Sequence, residues 1–310
     1  MKNRFYRLTV LSLVLLLTGC NTMTMYQSFS GSQIRRAGGT EKMLTLSDGG
    51  QLHYWERGEG EPLILIHGLG GDALMNWKEQ MLDFNPEYKV IAPDLLWFGQ
   101  SKSPNAQRSL SSQSDALFAL MDHLGIDQAH VVGHSYGGFV AYKMMNEHQD
   151  RIKSLTLISS PGPIISDMEL FNLTRRFETD SLETLFVPES PVGLKKLNYG
   201  IFHDPIPAPK FVYRDIYQTF IEPNKQAQRA LIETLPNERD QFKSPDQKGM
   251  PPVFLIWGAG DKIFPLHTGI DLSRYLNAPI AILEEGAHAI PAENPEVVSR
   301  LLEAFLFKKP

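Results

Sequence analysis

The chain reads as an α/β architecture: a mostly parallel, twisted sheet flanked by helices, with a helical cap inserted late in the sequence. Three observations predict it. Short apolar runs bounded by Gly or Pro alternate with longer stretches of helical apolar spacing, the pattern of strands joined by helical crossovers. The alternation breaks once, after Ser160, for roughly ninety residues, far more than a simple crossover needs. The composition, 42% hydrophobic and 21% charged over 310 residues, is that of an ordinary globular protein able to bury a sizeable core. Lys+Arg number 30 against Asp+Glu 35, a net charge of -5, so no electrostatic footprint for nucleic acid is present.

The elements follow in order. Lys2, Arg4 and Arg7 precede an apolar run from Leu8 to Leu17, then small residues and Cys20, the layout of an export signal. An apolar run of about ten residues is too short to cross ~30 Å of hydrocarbon. Leu17-Thr18-Gly19-Cys20 resembles the lipobox of bacterial lipoproteins, in which the cysteine is acylated and becomes the new amino terminus; an ordinary secretory signal ending in a free cysteine is the alternative. Asn21, where an aspartate would resemble an inner-membrane retention signal, favours the outer membrane. The chain has 1 cysteine, so no disulfide can form within it. From Thr22 to about Gly39, Ser, Thr, Gly and Gln predominate, the composition of a tether. The expected organisation is a signal peptide over 1–19, a tether over 20–40, a core over 41–160 and 249–310, and a helical cap over 161–248.

Two short strands, Lys42 to Leu46 and Gln51 to Arg57, flank Asp48-Gly49-Gly50 and predict a hairpin. Buried parallel strands are expected over Leu63 to Ile66, Lys89 to Ala92, His130 to Val132, Leu155 to Ile158, Val253 to Trp257 and Ile280 to Leu283. Helices are expected over Ser111 to Leu124, Gly137 to Glu147, Leu266 to Leu276 and Pro295 to Leu306. Within the insertion, Leu170 to Phe177, Val192 to Tyr199 and Phe211 to Phe220 are helical and aromatic, and a cap there would lie over the carboxyl edge of the sheet, where open α/β sheets bind ligands.

The chemistry is carried by loops at strand ends. Gly133-His134-Ser135-Tyr136-Gly137 matches G-x-S-x-G between an expected strand and an expected helix, the context in which a sharp turn exposes a serine nucleophile. A glycine-rich turn whose serine caps the helix would carry the same letters. His67-Gly68-Leu69-Gly70-Gly71 follows the strand ending at Ile66, beside the serine turn at the same sheet edge. The backbone N–H groups of Leu69 and Tyr136 are the expected oxyanion donors, and His67 is expected to hydrogen-bond within its own loop. Asp261 ends Trp257-Gly258-Ala259-Gly260-Asp261 and His288 ends Glu285-Gly286-Ala287-His288, each just past a strand. The order Ser135, Asp261, His288 suits a relay in which the imidazole takes the serine proton and the carboxylate orients the ring. Among competitors, Asp94, Glu284, Glu285, His53, His123, His134 and His267 fit that order less well, and His134 is expected to point away from the serine hydroxyl.

From about Lys42 to Phe307 the chain resembles the α/β-hydrolase superfamily. His67-Gly68, Asp94-Leu95-Leu96-Trp97-Phe98-Gly99-Gln100-Ser101, the serine turn and Trp257 to Asp261 are similar to the bacterial lipases and esterases related to meta-cleavage product hydrolases. Two departures stand out. The family pattern has glycine where this chain has Trp97, which implies a bulkier wall near the pocket, and asparagine or another residue often stands at His134, which weakens the carbon–carbon hydrolase reading. The resemblance implies an esterase or lipase working through an acyl-Ser135 intermediate on a small-molecule ester, with no metal or organic cofactor. Serine in place of aspartate speaks against dehalogenase and epoxide hydrolase chemistry. The alternatives are a carbon–carbon or amide hydrolase with the same triad, a non-catalytic ligand-binding protein of this fold, and a scaffold tethered to the outer membrane through Cys20.

Overall fold

The computed structural model describes residues 21–85, 87–205, 207–242 and 249–306; the expected signal and Cys20 lie outside them. The described chain begins on helix α1 (Thr22–Arg36), which corrects the tether expected there. Asn21 caps it by accepting the Met23 and Thr24 N–H groups, and Arg35 and Arg36 sit in its last turn, where cations suit the helix dipole. Polar composition hid the helix because long-range contacts stabilise it. Ile34 is buried in the core, Gly31 lies so close to the Trp55 ring that a Cβ would come within 2.9 Å of it, and Gln27 Nε2 donates to Asp72 Oδ2 at 2.7 Å.

Strands β1 (Thr40–Thr45) and β2 (Gln51–Arg57) form the expected antiparallel hairpin, with Gly49 at φ +84 in its turn, a conformation that favours glycine. The remaining strands are β3 (Glu61–Ile66), β4 (Tyr88–Pro93), β5 (Ala129–His134), β6 (Ile152–Ile158), β7 (Val253–Gly258) and β8 (Ile280–Leu283). They make one sheet in the order β1-β2-β4-β3-β5-β6-β7-β8. From β4 to β8 every pairing is parallel. The chain steps outward from β3 to β4, then returns across β3 to β5, so the order reverses there and leaves a crevice at the strands' carboxyl ends. Ile66 pairs with Gly133, which starts the glycine loop and the serine turn side by side.

Strand alternation sends Leu63 and Leu65 to one apolar layer and Ile64 and Ile66 to the other. Helix α2 (Ala73–Asp83) packs on the first layer through Trp77 and Met81, together with Ile34 of α1. Helices α3 (Leu110–His123) and α4 (Tyr136–Glu147) cover the other. Between β6 and β7 the chain carries α5 (Asp167–Arg176), α6 (Leu182–Phe186), α7 (Pro191–Ile201), α8 (Lys210–Ile216), a π-helical turn (Tyr217–Ile221) and α9 (Lys225–Arg239). Helix α9 goes beyond the expected content of the cap; its Ala227, Leu231, Ile232 and Leu235 form a buried helical stripe. The described residues end with α10 (Leu266–Leu276), the short α11 (Ile290–Glu293) and α12 (Pro295–Leu306); α10 and α12 have the bounds that the apolar spacing predicts.

Candidate active site

Strand β5 delivers the serine turn. Ser135 has φ 53 and ψ -119, a conformation a non-glycine residue adopts at a cost of order 1–3 kcal/mol. It persists because its surroundings leave no alternative. The Ser135 N–H donates to the Ile158 carbonyl at 2.9 Å, and the turn folds so tightly that a Cβ at Gly133 would lie 2.3 Å from the Gly137 oxygen. Gly137 is as constrained, 2.3 Å from the Ile66 oxygen by the same construction. These two glycines are what let α4 start directly against β3 and β5.

Two further loops meet Ser135. Past β7, Asp261 Oδ1 accepts the N–H groups of Ile263 and Phe264 at 2.8 and 2.9 Å, which fixes the carboxylate and leaves Oδ2 for His288. His288 Nδ1 lies 2.9 Å from Asp261 Oδ2, and His288 Nε2 lies 2.8 Å from Ser135 Oγ. With Asp261 ionised, Nδ1–H donates to the carboxylate and Nε2 accepts the serine hydroxyl. Ser135, Asp261 and His288 are 9%, 5% and 6% exposed, so the three are shielded from bulk water.

The glycine loop lies against this turn. A Cβ at Gly68 would be 3.2 Å from Ser135 Cβ, which places Leu69 beside the serine. Tyr136 is the first residue of α4, where a backbone N–H has no intrahelical acceptor. Next to the loop, His67 Nδ1–H donates to the Gly68 oxygen at 2.7 Å and Nε2 accepts the Leu95 N–H at 2.9 Å, the loop-bracing role expected of it. Burial lowers its pKa, keeping it neutral.

Two functional positions were less legible. His134 Nε2–H donates to the His288 carbonyl at 2.8 Å, and Nδ1 lies 2.9 Å from Asn76 Oδ1. It therefore does point away from Ser135 Oγ, but it braces the histidine loop from beneath. Burial first, and the neighbouring His288 second, push its pKa down to about 3, so no second positive charge opposes an imidazolium at His288. Asn76 Oδ1 also accepts the Gly68 N–H at 3.0 Å. The available signal was a polar residue on a helix whose neighbours Ala73, Leu74 and Trp77 are buried.

The competing residues lie elsewhere. Asp94 holds His53 at 2.8 Å, His267 pairs with Glu169 at 3.0 Å, and His123, Glu284 and Glu285 are exposed. Trp97 sits at φ 66, the left-handed region, which accounts for glycine in the family pattern. Its indole N–H donates to the Ser103 oxygen and Arg108 stacks on its ring. No His/Cys/Asp/Glu cluster among the described residues could hold a metal ion.

Similar proteins match most of the length of this chain. The family described as alpha/beta hydrolase fold matches residues 61–295. The dihydrolipoyllysine-residue acetyltransferase component of the acetoin cleaving system of Pseudomonas putida is 30% identical over 265 residues, covering 84% of this chain and 68% of that protein. The 2-hydroxymuconate semialdehyde hydrolase of Pseudomonas putida is 27% identical, covering 84% and 92%. A crystal structure of a membrane phospholipase A, described as a bacterial virulence factor, has a TM-score of 0.79 at 26% identity and covers 99% of this chain and 98% of its own. By the family match across most of its length and the sheet order described above, the chain belongs to the α/β-hydrolase family, and the family match with the semialdehyde hydrolase among its relatives supports a hydrolase.

Proposed function

We propose that the protein hydrolyses carboxylic esters through an acyl-Ser135 intermediate. The observation that carries this reading is the continuous pair of contacts from Asp261 Oδ2 through His288 to Ser135 Oγ, 2.9 and 2.8 Å long. In the first half-reaction Ser135 Oγ attacks the ester carbonyl carbon while His288 Nε2 takes the hydroxyl proton. The negative charge on the tetrahedral oxygen meets the N–H groups of Leu69 and Tyr136, the latter at a helix N-terminus where the dipole adds to the attraction. Collapse expels the alcohol, which receives the proton from His288. Water, losing a proton to His288, then attacks the acyl-serine, and the carboxylic acid leaves with Ser135 regenerated.

The similarity to a protein named a membrane phospholipase A supports the ester reading, and that to 2-hydroxymuconate semialdehyde hydrolase supports carbon–carbon cleavage by the same groups. Steady-state hydrolysis of p-nitrophenyl esters beside a vinylogous diketone substrate separates them. We expect ester turnover to dominate, and Ser135→Ala to lower kcat by a factor of order 10⁶ with the fold intact by circular dichroism. Diketone cleavage without ester turnover would replace the reading.

We also propose that Cys20 is acylated and holds the enzyme at a membrane, the outer one in preference. Among the described residues no helix is long and apolar enough to cross a membrane, and stable anchoring takes more than one acyl chain. Intact mass of the mature amino terminus after cell fractionation tests this: membrane-bound wild type with a lipidated Cys20, against Cys20→Ala lacking the modification, is the expected pair. A soluble wild type with an unmodified cysteine would refute it.

A further inference from the structure

Beside the serine turn lies a cavity of about 350 Å³ whose wall includes Met23 and Tyr26 of α1, Leu69 of the glycine loop, Ile201 and Ile216 of the cap, and Pro291 past the histidine. Its size is at the small end of ligand pockets, ~300–1,000 Å³. Three of the polar side chains on this wall are engaged within the protein. Asp72 accepts from the Gln27 amide at 2.7 Å and from the Met75 N–H at 2.8 Å. Asn76 Oδ1 accepts the Gly68 N–H, and His134 Nε2–H is spent on the His288 carbonyl. A hydrocarbon guest against Met23, Leu69, Ile201, Ile216 and Pro291 leaves water for an apolar wall.

Gly68, Leu69 and His134 line the cavity, and a Cβ at Gly68 would lie 3.2 Å from Ser135 Cβ, so the glycine loop and the serine turn join this space to the nucleophile. Helix α1 is fastened on both sides of that space. The Thr22 N–H and hydroxyl donate to Asp215 Oδ2 of α8 at 2.9 and 2.8 Å, one residue from the lining Ile216. On the core side the Gln27 amide holds Asp72.

We propose that this cavity receives the hydrocarbon chain of the acyl group, and that α1 forms its closing wall, with Met23 and Tyr26 setting the chain length the site accepts. This rests on the ester reading of Ser135 and names its substrate class: esters of aliphatic acids, medium-length chains over acetate. Each methylene that moves from water onto such a wall raises kcat/KM roughly fourfold (about 0.8 kcal/mol) while space lasts.

The test is kcat/KM for p-nitrophenyl acetate, butyrate, octanoate and palmitate, with active sites counted by fluorophosphonate titration, in wild type and in Met23→Trp, Ile216→Trp and Tyr26→Ala. Wild type is expected to favour octanoate over acetate at least tenfold. Met23→Trp and Ile216→Trp, which fill the cavity from α1 and from α8, are expected to lower the octanoate-to-acetate ratio at least tenfold. Tyr26→Ala, which enlarges it, is expected to raise the palmitate-to-octanoate ratio; it decides the matter if neither tryptophan variant yields titratable sites. A flat wild-type profile with acetate hydrolysed, or ratios that none of the variants moves, would overturn the pocket and leave the ester reading standing. Absence of turnover with every ester, acetate included, would overturn both.

Discussion

Two buried histidine–aspartate pairs in this protein are built alike, yet only one is arranged as a base. His288 Nδ1 lies 2.9 Å from Asp261 Oδ2, and His53 Nδ1 lies 2.8 Å from Asp94 Oδ2. All four residues are buried, and both aspartates sit just past the carboxyl end of a strand. The pairs part at the second ring nitrogen. His288 Nε2 meets the Ser135 hydroxyl at 2.8 Å, while His53 Nε2 meets Glu41 Oε1 at 3.0 Å. A hydroxyl asks the ring to accept; a second carboxylate asks it to donate. Burial alone would lower the pKa of His53, but hydrogen bonds and attraction from Asp94 and then Glu41 outweigh it and raise the value. A ring held between two carboxylates has no hydroxyl to deprotonate. The lesson is that the group facing Nε2, more than the His–Asp pair, separates a catalytic arrangement from a structural one.

That comparison can be broken at either pair. The largest effect is expected at the first: Asp261→Asn should lower kcat by a factor of order 10⁴, because an amide at that position allows the wrong tautomer of His288. Ester turnover per titrated active site measures it, and activity retained there but lost in Glu284→Gln or Glu285→Gln would move the acid elsewhere. At the second pair the loss should be of stability. His53→Gln leaves Asp94 buried without its counter-charge and should cost about 3 kcal/mol in urea unfolding. Its sign with pH follows from the raised value in the folded state. The stabilisation is fully present below the ordinary histidine pKa of about 6.5 and is lost as pH rises through the folded value, so the gap between wild type and variant should narrow in alkaline solution. A gap that widens instead would contradict the ion-pair account of His53. Glu41→Gln should be the mildest, below about 1 kcal/mol, since the Glu41 side chain is partly exposed and screened.

The same contrast explains what the sequence made legible. Ser135, Asp261 and His288 each stand in a short motif directly after an apolar strand, so local pattern locates them, and a parallel sheet with this strand order brings the three loops to one edge. The glycines at 133 and 137 announce the turn because nothing larger fits between the backbones. Helix α1 carried no such signal. Its polar stretch is ordered by contacts with residues far along the chain, Thr22 with Asp215 across 193 positions and Gln27 with Asp72 across 45, which a reading of composition cannot weigh. The bracing by His134 was hidden likewise, since its contact with Asn76 and its hydrogen bond to the His288 carbonyl span 58 and 154 positions. The strand-end motifs are therefore written locally in this chain, while the α1 wall of the neighbouring cavity is written in tertiary contacts.

The most direct test of the central claim, that Ser135 is a live nucleophile driven by His288 and Asp261, is covalent labelling with a fluorophosphonate followed by intact mass and peptide mapping. One adduct per chain, mapped to Ser135, is expected in wild type and in His53→Gln; it should form far more slowly in Asp261→Asn and be absent in Ser135→Ala. An adduct on another residue, labelling that survives in Ser135→Ala, or a folded wild type that takes up no label would contradict the account.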